Sequence, residues 1–423
     1  MLDIKLIRQD PDRVKQEVRN RNIDIGIDID KLLDLDIQRR ELLVEIEELR
    51  AEKNRVSKLI PALRVEDREE VLEEMREVSK NLNDLEPRLK GVEKKLHTLM
   101  IKLPNLSHES VPIGKNETGN VVEKKWGKEP DFKFEVSDHE KLGLILDIID
   151  KERGTKVSGS RFTFLKNEGV LLEFALINYV LEKLSKEYFI PVVPPVLVKQ
   201  EAMFGTGFFP AEEWEYYETK NDNLYLIGTS EVPMCAYHAH EILEKAKLPM
   251  KYAAFSTCFR RESGTYGKDT RGMFRVHQFD KIEMFVFSDQ ERSWEDYNYL
   301  LSIAEKILQE LGLHYQVVNM CTGDIGAPNA KKYDIEVWYP WEKRYRELVS
   351  CSHDTDFQAR RLKIKYKDED GKLKLVHTMN STACAIGRTI TAILENYQQK
   401  DGSVLIPDIL KPYMGRIEKI TPK

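Results

Sequence analysis

Residues 30 to 103 carry two apolar repeats of a kind that long paired helices satisfy. In the second, Val71, Met75, Val78, Leu82, Leu85, Leu89, Val92, Leu96 and Leu99 alternate steps of four and three without a miss. A stripe of that period stays on one side of a helix and needs a second helix along it, which makes a coiled-coil seam. In the first, Leu32, Leu35, Leu42, Ile46, Leu49, Val56 and Ile60 keep similar spacing, interrupted by Arg39 and Lys53. Pro61 and the polar residues to Asp67 separate the two, so the helices are expected to fold back antiparallel as an arm over about 30–100. Each helix, of about 30 residues, would reach roughly 45 Å at 1.5 Å per residue. Pro87 falls inside the second helix and is expected to bend it, because its ring removes one backbone bond.

The turn of this arm is basic. From Lys53 to Val65 it carries Lys53, Arg55, Lys58 and Arg64 with no acid, although the flanking helices are acidic. A basic tip on a long rigid arm suits distant phosphates. The whole chain, at net charge −6, does not announce a nucleic-acid binder, so any basic surface is local.

With 423 residues and 41% hydrophobic content there is room for a large core beyond the arm. Residues 104–133 are dense in Pro, Gly, Asn and Ser and read as a linker, which sets domains at 1–108 and 109–423. Beyond it, helical patterns such as Gly169–Tyr188 and Glu291–Gly312 alternate irregularly with short strands. Strand candidates are 161–165, 225–227, 252–259, 282–287, 315–318, 334–337 and 347–351. No βαβ repeat, GxGxxG or GxxxxGK[ST] occurs, which argues against Rossmann and P-loop nucleotide sites and favours an α+β domain with an antiparallel sheet and flanking helices. The five cysteines form neither a CxxC pair nor a Cys/His cluster, so neither zinc nor a disulfide framework is expected. No run of about 18 apolar residues and no N-terminal apolar h-region is present, so a cytoplasmic protein without a membrane partner is expected.

Residues 259–283, FRRESGTYGKDTRGMFRVHQFDKIE, place Arg260 and Glu262 at the end of one apolar segment, before a loop rich in Gly and charge from Ser263 to Gly272. Alternate residues of a strand share a face, so these two are expected to point the same way. A fixed cation beside a fixed carboxylate can hold a phosphate and the amino group of a base. The segment resembles motif 2 (about 252–285) of the class II aminoacyl-tRNA synthetases. Four others add to it. Ile190-Pro-Val-Val-Pro-Pro-Val resembles motif 1 (about 180–197), through which such enzymes form homodimers. Gly228-Thr-Ser-Glu231 looks like the TxE loop of seryl-tRNA synthetases. Arg344 to Ser352, followed by Asp356-Phe-Gln-Ala-Arg-Arg361, resembles their ATP-binding strand and its sequel. Met379 to Gln398 resembles motif 3 (about 379–398), with Ala383 and Ala385 where glycines are usual.

In this order, and behind an antiparallel arm, the motifs resemble a bacterial-type seryl-tRNA synthetase. That resemblance implies a serine–tRNA ligase that uses ATP with Mg2+ to make seryl-adenylate and then charges tRNA(Ser), and also tRNA(Sec) where such a tRNA exists. It implies ATP binding by Arg260, Arg261, Glu262, Val276, Phe279, Glu347, Leu348, Val349, Ser350 and Arg388. Arg260 would be the catalytic cation on the α-phosphate, Phe279 would stack on adenine, Arg388 would meet the γ-phosphate, and Glu347 with Ser350 would hold the metal ion. L-Serine would be bound by Thr229, Ser230, Glu231, Arg260, Glu283 and Thr382, and tRNA by the arm tip, Lys53, Arg55, Lys58 and Arg64.

Overall fold

A computed structural model describes residues 1–23, 28–62, 64–210, 215–262 and 272–423. Two compact units divide the chain, one of residues 2–104 and the other of residues 105–423 together with Met1. The Gly-rich loop read from Ser263 lies outside the described residues as far as 271.

In the smaller unit, short helices Ile4–Gln9 and Pro11–Asn20 precede the arm. Asp3 and Asp10 accept hydrogen bonds from the first free amides of these helices, and Pro11 occupies a first-turn position that needs no N–H. The arm helices run Ile29–Leu59 and Val65–Met100, joined by a 3-10 turn at Ile60–Ala62. Pro87 lies inside the second, which continues through it. Leu42, Ile46, Leu82 and Leu85 close the seam, flanked by Leu49, Val78, Leu89 and Val92. With only a short turn between them, the two helices pack along one another and so run antiparallel. Arg39, which breaks the repeat, turns instead to the buried Asp36, shared with Arg8 and Arg40.

The larger unit is built on eight strands: β1 Val121–Trp126, β2 Ile190–Val192, β3 Met250–Phe259, β4 Gln278–Ser288, β5 Tyr315–Asn319, β6 Lys331–Tyr339, β7 Arg344–Thr355 and β8 His377–Ala385. Their order across the sheet is β1-β5-β6-β7-β8-β4-β3-β2. Every pair is antiparallel except β2 with β3. Alternation along β4 explains the layering. Ile282, Met284 and Val286 enter the main core, together with Leu172 and Leu176 of helix Glu168–Lys186, Leu300 and Ile303 of Ser293–Glu310, and Ile390 and Ile393 of Ile386–Asn396. On the opposite face, Phe285 and Phe287 join a second apolar cluster with Tyr252 and Tyr366, while Phe279, Lys281 and Glu283 line a cavity.

The structure departs from two expectations drawn from sequence. Residues 104–133 are not simply a linker: β1 forms the edge of the sheet, Val111 packs on Val318 and Met320, and the Asn105 amide donates to the Pro328 and Asp354 carbonyls. The segment 377–385, absent from the strand candidates, is the central strand β8, whose small polar residues hide a buried strand from a hydrophobicity pattern.

Candidate active site

The ends of β3, β4, β6, β7 and β8 enclose a cavity of about 510 Å³. Among the residues expected to act, Thr229, Glu231, Arg260, Glu262, Val276, Phe279, Glu283, Glu347, Leu348, Ser350, Thr382 and Arg388 all line it.

β3 ends at Phe259, so strand alternation does not orient Arg260 and Glu262. Their placement comes from the loop instead. The Arg260 amide donates to the His277 carbonyl (3.0 Å), His277 Nδ1 donates to the Arg260 carbonyl (2.9 Å), and Arg260 Nε donates to the Gly228 carbonyl (3.2 Å). Gly228 must be bare for this, because a Cβ there would meet the Tyr216 ring at 2.9 Å and the Arg260 side chain at 3.3 Å. The Arg260 guanidinium lies 5.4 Å from the Phe279 ring centroid. Glu262 adopts φ 51°, and its carboxylate takes a hydrogen bond from Arg275 at 3.0 Å. A left-handed glutamate is strained backbone, of the kind that gathers at functional sites.

At one end of the cavity four buried polar groups converge. Lys281 Nζ donates to Thr229 Oγ1 (2.8 Å) and pairs with the Glu283 carboxylate, which also takes a hydrogen bond from Thr382 Oγ1 (3.4 Å). Register accounts for this: Glu283 lies directly across from Thr382 in the β4–β8 ladder. Glu231 opens the short helix Glu231–Ala236, and its Oε1 accepts from the Gln358 amide at 2.8 Å. Burial pushes the Glu283 carboxyl above its ordinary range, against the pull of Lys281 and Arg260.

At the other end, strand alternation would send Glu347 and Ser350, three apart, to opposite faces. A bulge prevents it: Val349 pairs with Ile335 and Glu347 with Glu336, leaving Leu348 as the extra residue. A second bulge at Ala383 lets Thr382 and Ala385 face the same cavity. Arg388 Nη1 donates to the Glu347 carbonyl (2.8 Å) and lies 3.4 Å from its carboxylate, and Phe274 is flanked by the guanidinium groups of Arg346 and Arg388. Burial raises the Glu347 carboxyl, but Arg388, Lys332 and Arg260 outweigh it and hold the group below its usual value. Asp334, opposite Ser350, is pushed up to about 7 by burial. Arg388 sits in the first turn of an eleven-residue helix, where the dipole already repels cations. A cation there, with backbone N–H groups, makes a place for an anionic group.

Three expected residues stand outside the lining. Ser230 Oγ is engaged with Ser256 Oγ (2.6 Å), Val349 is in the main core on the far side of the bulge, and the Arg261 side chain is exposed while its amide donates to Glu215. Lining residues that sequence reading does not reach include Lys281, Lys332, Asn380 and Arg275. Two of these had a signal in their spacing: Lys281 alternates with Phe279 and Glu283 on β4, and Asn380 with Thr382 on β8. On the arm, Lys53, Arg55, Lys58 and Arg64 are all exposed, but Arg55 is held by Glu52 at 2.6 Å, an acid just outside the basic stretch.

Residues 214–397 match the tRNA synthetase class II core domain (G, H, P, S and T), and residues 1–107 match the seryl-tRNA synthetase N-terminal domain. The chain is 42% identical to the seryl-tRNA synthetase from Pyrococcus horikoshii, solved in complex with ATP, covering 100% of both chains at a TM-score of 0.94. It is 33% identical to the cytoplasmic serine-tRNA ligase from Naegleria fowleri, solved in complex with AMP, covering 100% of this chain and 99% of that one at a TM-score of 0.89. The RNA binding domain of threonyl-tRNA synthetase from Cryptosporidium parvum, at 18% identity and a TM-score of 0.54 over 62% of this chain and 72% of that one, shares the fold alone.

Proposed function

The chain belongs to the seryl-tRNA synthetase family of class II, and from that premise we propose how its cavity divides the work. The activity is serine–tRNA ligation: ATP and L-serine give seryl-adenylate and pyrophosphate, and serine then passes to tRNA. The observation that carries the assignment of residues is the convergence of Arg260, Phe279, Glu283, Glu347, Thr382 and Arg388 on one cavity.

Serine's carboxylate must attack the α-phosphate of ATP in line, and the two anions repel. Arg260 lies between the two ends of the cavity and neutralises both, with the larger effect on the charge that develops at phosphorus. The carboxylate is already ionised, so no general base is required. Phe279 takes the adenine face, Glu262 the adenine amino group, Val276 and Leu348 the apolar flanks, and Arg388 the γ-phosphate. Glu231 receives the serine ammonium, while Glu283 and Thr382 bond its hydroxyl. Glu347, ionised and with its side chain 44% exposed, stands near Ser350 on the same face, and this pair of hard oxygen donors fits Mg2+. The ion would neutralise phosphate charge.

The N-terminal domain, 1–108, is assigned to tRNA through the exposed cations of its tip, and the chain to the bacterial-type branch on its arm followed by the GTSE loop. Selenocysteine tRNA is proposed as a second substrate on family resemblance alone. A homodimer is supported by apolar side chains exposed at or beside the edge strand β2 (Tyr188, Ile190 and Val193) and on the helix that leads into it (Leu171 and Phe174). No helix of the described residues is long and apolar enough to cross a membrane. All five cysteines are free, which supports a reducing, cytoplasmic location. Serine-dependent ATP–pyrophosphate exchange, measured with and without tRNA in Glu283→Gln and Arg388→Ala, tests the map. Glu283→Gln should impair use of serine and Arg388→Ala use of ATP, and an exchange of these two effects would reverse the subsites.

A further inference from the structure

We propose that Lys281 is a positioning residue of the serine subsite, whose ammonium holds Glu283 as an acceptor for the substrate hydroxyl and turns the Thr229 hydroxyl into a donor. The inference rests on the assignment of Glu283 to serine made above.

Lys281 is 7% exposed and Glu283 1%. A lysine so buried is costly unless paired, and this one is paired twice, with the Glu283 carboxylate and with Thr229 Oγ1 at 2.8 Å. Both contacts have consequences for what the cavity offers. An ionised carboxylate only accepts hydrogen bonds, whereas a protonated one also donates. Burial favours the protonated form of Glu283, and Lys281 is the nearest group opposing it. The Thr229 hydroxyl has two acceptor positions and one hydrogen. Lys281 fills one position and the Glu231 amide, at 3.2 Å, the other, so only the hydrogen is left for the substrate. The cavity therefore presents an acceptor at Glu283 and a donor at Thr229, and Lys281 fixes both.

Charge points the same way. Glu231 and Glu283 are balanced by Lys281 and Arg260, so this end of the cavity sums to zero. A zwitterionic amino acid with a neutral side chain enters without leaving a buried charge unmatched. Removing Lys281 leaves a net negative pocket, which is relieved when Glu283 takes a proton. The sign follows: with Lys281 gone, Glu283 stays protonated to higher pH, and serine use is lost as pH falls through that raised value.

The test is serine-dependent ATP–pyrophosphate exchange from about pH 6 to about pH 9 for the wild type, Lys281→Met, Lys281→Gln, Lys281→Arg, Glu283→Gln and the double variant Lys281→Met/Glu283→Gln. Thermal unfolding identifies which variants are folded. Either neutral Lys281 variant should lower kcat/KM for serine roughly tenfold or more at neutral pH, the cost of a hydrogen bond to a charged group. KM for ATP should stay unchanged, and the deficit should shrink as pH rises. Lys281→Arg should keep the wild-type profile, and the double variant should lose the pH-dependent recovery. A deficit that is constant across pH, or one that falls on ATP instead of serine, overturns the proposal. Should Glu283→Gln leave serine kinetics untouched, the assignment of Glu283 itself fails, an outcome distinct from a pH-independent Lys281 variant.

Discussion

Arg260 is fixed before any substrate arrives: its backbone is bonded on both sides to His277 and its Nε to Gly228. A guanidinium held in place costs little reorganisation when charge builds on phosphorus. Arg260→Ala should therefore lower kcat/KM for serine activation by about 10²–10³ while weakening serine binding far less. An unchanged exchange rate would remove Arg260 from the chemistry. Thr382 makes a different prediction. It bonds Glu283 beside the proposed hydroxyl subsite, and a site built to pair a hydroxyl rejects the analogue lacking it by up to about 10⁴–10⁵. Thr382→Ala should narrow the serine/alanine ratio more than the serine/threonine ratio, since threonine keeps the hydroxyl and is excluded by the walls; equal narrowing in competition assays would refute this. At this scale Phe279 and Glu283 are reached through the resemblance of residues 259–283 to motif 2, and their shared facing follows from period two on β4. The same reading does not reach Lys332, on β6, nor Asn380, which stands two residues from Thr382 on a strand with no apolar alternation to reveal it.

Elements succeed or fail as readings according to how their burial is shared. The arm is legible because one stripe on each helix faces one partner, and its period survives in the sequence. β8 is not, since a central strand holding Asn380, Ser381 and Thr382 has no apolar alternation to show, and β1 is exposed along its whole length. Neither bulge is visible either, although Leu348 and Ala383 decide which side chains face the cavity. The arm tip corrects a charge count. Arg55 is neutralised by Glu52, so the tip offers Lys53, Lys58 and Arg64. Neutralising Lys53, Lys58 and Arg64 together should flatten the salt dependence of tRNA binding by roughly one unit of slope per lost phosphate contact, and Arg55→Gln alone should change it less than Lys58→Gln. Serine activation without tRNA should not move. Filter binding across a salt series decides: equal effects of Arg55 and Lys58 would mean that the Glu52 pair opens on RNA.

For the molecule as a whole, the sheet has two edges with different endings. β1 closes one with charged side chains, Glu123, Lys124 and Lys125, a common guard against further pairing. β2 ends the other with three residues and carries no charged side chain, so its brevity and its proline, which lacks an N–H, are what limit further pairing there. At or beside it Tyr188, Ile190 and Val193 are exposed, Tyr188 at 85% and Val193 at 79%, and the helix Glu168–Lys186 that leads into it exposes Leu171 and Phe174. An apolar group clustered at one sheet edge is what a partner surface looks like. The same helix, Glu168–Lys186, buries Leu172, Leu176 and Val180 beneath the sheet, so its outer and inner faces are rigidly linked. A twofold contact here would brace β3, the strand that leads into Arg260, through its pairing with β2. The chain should accordingly sediment at micromolar concentration at twice its 49.4 kDa. Phe174→Glu with Val193→Asp, both outside the cavity and the core, should shift it to single chains and reduce activation along with dimer content. A variant that sediments as a single chain yet keeps full exchange activity would leave the dimer without a part in the chemistry, and wild-type protein found only at 49.4 kDa would dismiss the interface itself.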